Sequence, residues 1–220
     1  MRQEDKKRLE ALNADHHVRM AADAGKRPEV GATGVLIKDH ASRANILQAM
    51  CGARSRFVEP APWEGPKGTL LELGSGHCGD REVLLSTLRA EKYVGLEVVP
   101  HIAALYKSKG VLNKALEELP PKLFGKCRWV YSRHVMEHTA DVALALDNIY
   151  KALEPGGVCG AVTPHYFPDP EPAHIAQHRL EEWMDFYRQH KLMPVYAVLE
   201  QHNCAEAHIV VMREEDVHGL

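Results

Sequence analysis

The chain has 220 residues, 45% of them hydrophobic and 26% charged, with a formal charge of −3. This composition excludes a disordered or fibrous chain and fits one α/β domain with a helical extension. The near-neutral balance supplies no bulk basic field for nucleic acid or anionic lipid, and no apolar run is long enough to span a bilayer.

Residues 4–24 read as a polar helix, after which Gly25, Pro28, Gly31 and Gly34 break the chain. A second helix is predicted from Ser42 to about Phe57, and Glu59 to Pro66 reads as an irregular lead-in. Residues 1–66 are therefore expected to form an N-terminal helical segment or lid, and 67–220 the main domain. From Gly68 onward short apolar runs alternate with helical periods. Strands are predicted over 69–73, 93–99, 111–116, 128–132 and 158–163, and helices over 80–90, 101–109, 141–153 and 179–190. Two closing strands, 194–200 and 206–212, have no helix between them. The pattern predicts an α/β fold: a doubly wound, mainly parallel, seven-stranded Rossmann-like sheet with a C-terminal antiparallel hairpin.

The start MRQEDKKRLE has no signal-peptide core, and the five cysteines (Cys51, Cys78, Cys127, Cys159 and Cys204) form no close pair. They read as reduced thiols, and the expected location is cytoplasmic, with no membrane partner.

The chemistry concentrates at Gly74-Ser-Gly76-His-Cys-Gly79, a G-x-G-x-x-G turn between a strand and a helix. Glu97 ends the next strand and suits a pair of ribose hydroxyls. Glu72 separates the candidate ligands. A carboxylate beside the turn would repel a pyrophosphate, at a cost on the order of several kcal/mol for two like charges a few ångström apart. It would welcome a ligand bearing an ammonium and a sulfonium.

Leu71-Glu-Leu-Gly-Ser-Gly76, Val94-Gly-Leu-Glu97, Glu117-Glu-Leu-Pro120 and Tyr131 to His138, followed by Leu153 to Gly157, resemble the successive motifs of class I S-adenosylmethionine-dependent methyltransferases. The resemblance covers roughly 68–212. It implies that Glu72, Gly74, Ser75 and Gly76 hold the methionine part of S-adenosylmethionine, and Glu97 the ribose. Val98 and Leu116 would flank the adenine. Ser132, Arg133 and His134 would line the floor beside the reacting methyl. The sequence departs from the family at Cys78, where a third glycine is common, and at Ala115, where an Asp usually meets the adenine. Adenine contact at Ala115 would fall to backbone groups, or to Asn113 if the register slips.

Among fourteen histidines, His134, His138, His165 and His174 are the candidate catalytic bases, His134 first by position. A structural turn is the favoured reading of Glu137-His138. An alternative, implied by family members with a Glu-x-x-Glu-His pattern, is a divalent metal site built from His134, Glu137, His138, His174 and His178. The expected function is methyl transfer to an oxygen or nitrogen of a small-molecule acceptor by in-line displacement. The alternatives are an RNA or DNA methyltransferase of the ribose 2′-O type, and a non-catalytic S-adenosylmethionine-binding protein.

Overall fold

Among the described residues the apolar runs fold as seven strands: β1 (Thr69–Leu73), β2 (Lys92–Glu97), β3 (Val111–Asn113), β4 (Cys127–Arg133), β5 (Leu153–Pro164), β6 (Leu192–Gln201) and β7 (Ala205–Arg213). The computed structural model describes residues 28–57, 68–165, 176, 178–201 and 205–218. The strands form one sheet in the order β3-β2-β1-β4-β5-β7-β6. β1 is parallel to β2 and β4, β5 is parallel to β4, and β7 runs antiparallel to both β5 and β6. The expected Rossmann-like sheet with its closing hairpin is therefore the observed fold. Strand order reverses between β1 and β4, which opens a crevice at their carboxyl ends.

Helices cover both faces because the strands are apolar on both sides. On one face, Ile46, Leu47 and Met50 of α1 (Pro28–Phe57) pack with Leu84 of α2 (Arg81–Thr87) and Ala103 of α3 (Pro100–Leu105). On the other, Leu146 and Ile149 of α4 (Val142–Ala152) join Trp183 and Tyr187 of α5 (Leu180–Gln189). Strand residues alternate between the two cores: Leu70, Trp129 and Tyr131 face the first, Leu71, Leu73 and Val130 the second.

Four boundaries differ from the sequence reading. α1 begins at Pro28 and runs through Gly31 and Gly34, which were expected to break it. A helix tolerates each glycine at a cost of about 1 kcal/mol, and Pro28 stands at the first position, where no amide donor is needed. β3 ends at Asn113 because the Lys114 amide turns back onto the Glu97 and Leu112 carbonyls. β5 begins at Leu153, so Glu154 to Gly157 lie inside the strand rather than before it. A short α6 (Glu214–His218) follows β7. The helix expected over 4–24 and the lead-in over 59–66 lie outside the described residues. No helix among the described residues is long and apolar enough to cross a membrane.

Candidate functional site

β1 delivers the glycine turn to the crevice. Gly74 and Gly76 take φ values of +60° and +47°, and Cys78 takes +55°. A Cβ on Gly74 would fall inside the van der Waals radius of Val135 Cγ2, so only glycine lets the backbone pass there. The turn is tied to β2: the Ser75 amide donates to the Leu96 carbonyl at 2.8 Å, and the Gly76 amide to Glu97 Oε2 at 2.9 Å. Glu97 Oε1 accepts from the Val99 amide at 2.8 Å. Each carboxylate oxygen keeps a further lone pair, so Glu97 can still accept two hydroxyls.

Beside the turn lies a cleft lined by Gly74, Val98, Ala115, Leu116 and His138, together with Leu73, Leu96, Lys114, Glu117, Val135 and Thr139. Of the expected cofactor residues the structure thus gathers Gly74, Val98, Ala115 and Leu116 around one opening. Asn113 does not reach it. Its amide donates to the Glu97 and Val98 carbonyls at 3.0 Å and fixes the end of β2. Ser132 is fully buried, and its Oγ has no hydrogen-bond partner.

Glu72 lies below the turn with 5% of its surface exposed. The Tyr93 hydroxyl donates to Glu72 Oε2 and lies 3.8 Å from Cys78 Sγ. Burial pushes the Glu72 carboxyl up to about 8. The Tyr93 hydrogen bond opposes this, the Asp80 charge adds to it, and Arg43 draws it down. Burial and the Glu72 charge in turn push the Tyr93 phenol up, so it stays a proton donor. Buried Arg43 of α1 pairs with Asp80, and Arg133 Nη1 sits 3.8 Å from the other Asp80 oxygen. Ser75 Oγ and the Tyr131 hydroxyl are buried without a hydrogen-bond partner. Arg43, Tyr93 and Tyr131 were missed from sequence. Arg43 carried a signal: it shares one helical stripe with Ile46, Leu47 and Met50, a charge where the period calls for an apolar side chain.

The histidines part company. His134, at φ +52°, sets Nδ1 3.3 Å from Glu137 Oε1 and Nε2 3.0 Å from Glu206 Oε1. Burial alone would lower its pKa, but hydrogen bonds and charge from Glu137 and Glu206 raise it to about 9. At neutral pH it is an imidazolium with both nitrogens engaged, which speaks against its expected service as a base. Glu206 Oε2 continues to His208 Nε2 at 3.3 Å, and His208 Nδ1 lies 3.5 Å from Glu200 Oε1. His165 accepts the Leu180 amide on Nδ1 at 3.1 Å, holding the start of α5. That bond leaves the proton on Nε2 and no open acceptor for a substrate proton. His138 lines the cleft, and His174 lies outside the described residues.

Of the residues of the metal alternative, His138 lines the cleft and His174 lies outside the described residues. His134 and Glu137 pair with each other, while His178 packs edge-on against Trp183 and Phe186 with ring centroids 5.0 and 4.8 Å away. Among the described residues no three His, Cys, Asp or Glu side chains gather as a metal site.

A family model described as a methyltransferase domain matches residues 42–207. No curated protein sequence matches the chain. One similar solved structure is a chain from the Haloferax volcanii complex of the Trm112 methyltransferase activator with a candidate methyltransferase. It is 16% identical, with a TM-score of 0.62, and the alignment covers 93% of this chain and 97% of that one. Another is the Burkholderia thailandensis 1,6-didemethyltoxoflavin-N1-methyltransferase, solved with 1,6-didemethyltoxoflavin and S-adenosylhomocysteine. It is 13% identical with a TM-score of 0.56, covering 80% and 89% of the two chains. The YcgJ protein of Bacillus subtilis is 15% identical with a TM-score of 0.52, covering 74% and 99%. At these identities the likeness establishes the fold.

Proposed function

Since the chain belongs to the methyltransferase-domain family and is an S-adenosylmethionine-dependent methyltransferase, we propose that its acceptor is an oxygen or nitrogen atom of a small molecule. The observation that carries the reading is the pairing of a left-handed glycine turn with two buried carboxylates, Glu72 and Glu97. That set fits the cofactor on this structure's own terms. Gly76 faces open space where a Cβ would meet nothing within 4 Å, and buried Ser75 Oγ is unsatisfied.

In this reading Glu72 receives the ammonium of the methionine part, and Arg43 with Arg133 its carboxylate. Glu97 takes the ribose hydroxyls. Val98 and Leu116 flank the adenine, with backbone groups at Ala115 reading its edge. Residues 1–66 form the cover, from which α1 brings Arg43 to the turn, and 67–220 form the cofactor domain. S-adenosylmethionine supplies a methyl group already activated by its sulfonium, so the new bond forms as the carbon–sulfur bond breaks.

The chain's own part is to exclude water and align the nucleophile, which is worth about 7–11 kcal/mol in well-oriented cases. His138, the base candidate that lines the cleft, takes the acceptor's proton, a task an imidazole performs in its neutral form. The formal charge of −3 favours a small acceptor over nucleic acid, and the Burkholderia neighbour is an N1-methyltransferase of a small molecule.

The test is thermal unfolding with S-adenosylmethionine, S-adenosylhomocysteine and NADH. A ligand at 100 times its dissociation constant adds roughly 2.7 kcal/mol, a rise of about 5–10 °C for a chain of this size. A rise with the two adenosyl ligands alone, then release of S-adenosylhomocysteine with amines or phenols, supports the reading. A rise only with NADH overturns it. Turnover on RNA or DNA but on no small molecule overturns the choice of acceptor.

A further inference from the structure

Glu72 is buried at the end of β1, and the group that hydrogen-bonds its carboxyl is a phenol, not a cation. Its surroundings come from five elements. β2 contributes Tyr93, whose ring has the Arg81 guanidinium 5.2 Å from its centroid. The glycine turn contributes Cys78, and the residue before α2 contributes Asp80. α1 contributes Arg43, and β4 contributes Tyr131 and Arg133. Both guanidiniums are drawn to Asp80, so among the described residues the acid beside Glu72 carries the ion pairs while Glu72 carries none. A carboxylate in that position would be charged, buried and supported by a single phenolic hydrogen bond.

Resting on the reading that Glu72 receives the cofactor's ammonium, we propose that Glu72 is a neutral acid in the cofactor-free site and releases its proton as the cationic amino-acid end arrives. Tyr93 is the positioning residue: its hydroxyl donates to the carboxylate once it is ionised. The O–H bond of Glu72 breaks, the proton leaves to solvent, and an ammonium N–H takes its place against the same oxygens. Burial, which sets the empty-site acid at about 8, has the sign this exchange requires. Cofactor affinity then falls roughly tenfold for each pH unit below that value. At pH 6.5 an α-amino group with an ordinary pKa of about 8 arrives as an ammonium, and Glu72→Gln, which has no carboxyl proton to give, distinguishes release from the acid from release by the ligand.

The experiment is calorimetric titration of the full chain with S-adenosylhomocysteine at pH 6.5, in buffers of low and high ionisation enthalpy such as phosphate and imidazole. The expected result is release of close to one proton per ligand bound. In Glu72→Gln the release disappears while weaker binding remains. In Tyr93→Phe the release persists, and the pH at which affinity levels off moves upward, so that binding weakens roughly tenfold at neutral pH and less at high pH. A merely structural Tyr93 would weaken binding equally at every pH. Tight binding by the wild type with no proton exchange at pH 6.5 overturns the proposal and leaves the cofactor site intact. No binding at any pH overturns the cofactor-site reading itself. The wild-type proton count decides even if neither variant folds.

Discussion

His134 and Glu206, 72 positions apart in the chain, meet through a 3.0 Å contact between imidazole Nε2 and a carboxylate oxygen. β5 makes the meeting possible. β4 and β7 flank it on either side, so the residue after the end of β4 and the second residue of β7 arrive at the same edge. The His134 amide also donates to the Val162 carbonyl at 2.9 Å, which holds the left-handed backbone in place.

This contact makes stability depend on pH. The folded-state pKa of His134 is raised to about 9 from an unfolded value near 6.5. Its stabilising contribution is therefore present in full below 6.5 and is lost as pH climbs through about 9. With a third of the side chain open to solvent, screening reduces the contribution to about 1 kcal/mol. Glu206→Gln should bring the His134 imidazole resonance in a proton NMR titration down toward the ordinary range. It should also flatten the decline in urea-unfolding stability between pH 6.5 and 9. An unmoved titration would show that Glu137 alone sets the charge.

Glu72 acts in the same direction at lower pH. A carboxyl raised from the ordinary range to about 8 favours the folded state below pH 4.5 and loses that contribution as pH rises through 8. The cofactor-free protein therefore bears an unfavourable charge at alkaline pH, on the order of a few kcal/mol. Glu72→Gln should raise the urea midpoint of the cofactor-free protein at pH 8.5 and leave it nearly unchanged at pH 4.5. Equal midpoints at both pH values would mean that solvent already reaches the carboxylate.

Much of this was legible in the sequence and some was not, for definite reasons. Most of the strands showed because they carry short apolar runs, and the glycine turn because its residue types are set by backbone conformation at Gly74 and Gly76. The start of β5 was hidden because Pro155-Gly-Gly157 reads as a helix stop. In the fold Gly157 instead lets the strand approach the Cys127 carbonyl where a side chain could not. The network from His134 through Glu206 and His208 to Glu200 could not be read locally, since its members come from the end of β4 and from both strands of the hairpin. Its one local trace is Glu206-x-His208, two polar residues on the same face of an otherwise apolar strand.

The two turn glycines should separate strain from contact. Both have positive φ, which costs a non-glycine residue roughly 1–2 kcal/mol. Gly76→Ala meets nothing within 4 Å and should lose only that. Gly74→Ala also drives a methyl into Val135, whose side chain lines the cleft. Gly74→Ala should therefore lower the melting temperature further and weaken S-adenosylhomocysteine binding by tenfold or more in calorimetry. Equal effects from both would mean that Val135 yields at no cost.

Gly160 tests how α1 is held on the sheet. It lies in β5 between Val210 of β7 and Tyr131 of β4, and Met50 and Ile46 of α1 rest directly on its backbone. A Cβ there would overlap Met50 Sδ and crowd Met50 Cγ at 2.8 Å. The helix cannot simply slide, because Arg43 at its middle is paired with Asp80 and Asn45 is hydrogen-bonded to Glu200 at 3.0 Å. Gly160→Ala should thus cost about 1–3 kcal/mol through overpacking and tilt α1, taking Arg43 away from the glycine turn. Adding Met50→Ala opens the space the methyl needs. The double variant should regain cofactor affinity even though Met50→Ala alone costs 2–5 kcal/mol of stability. A double-mutant cycle in urea unfolding measures the coupling. Strictly additive losses would show that Gly160 is needed for the strand and not for the seat of α1.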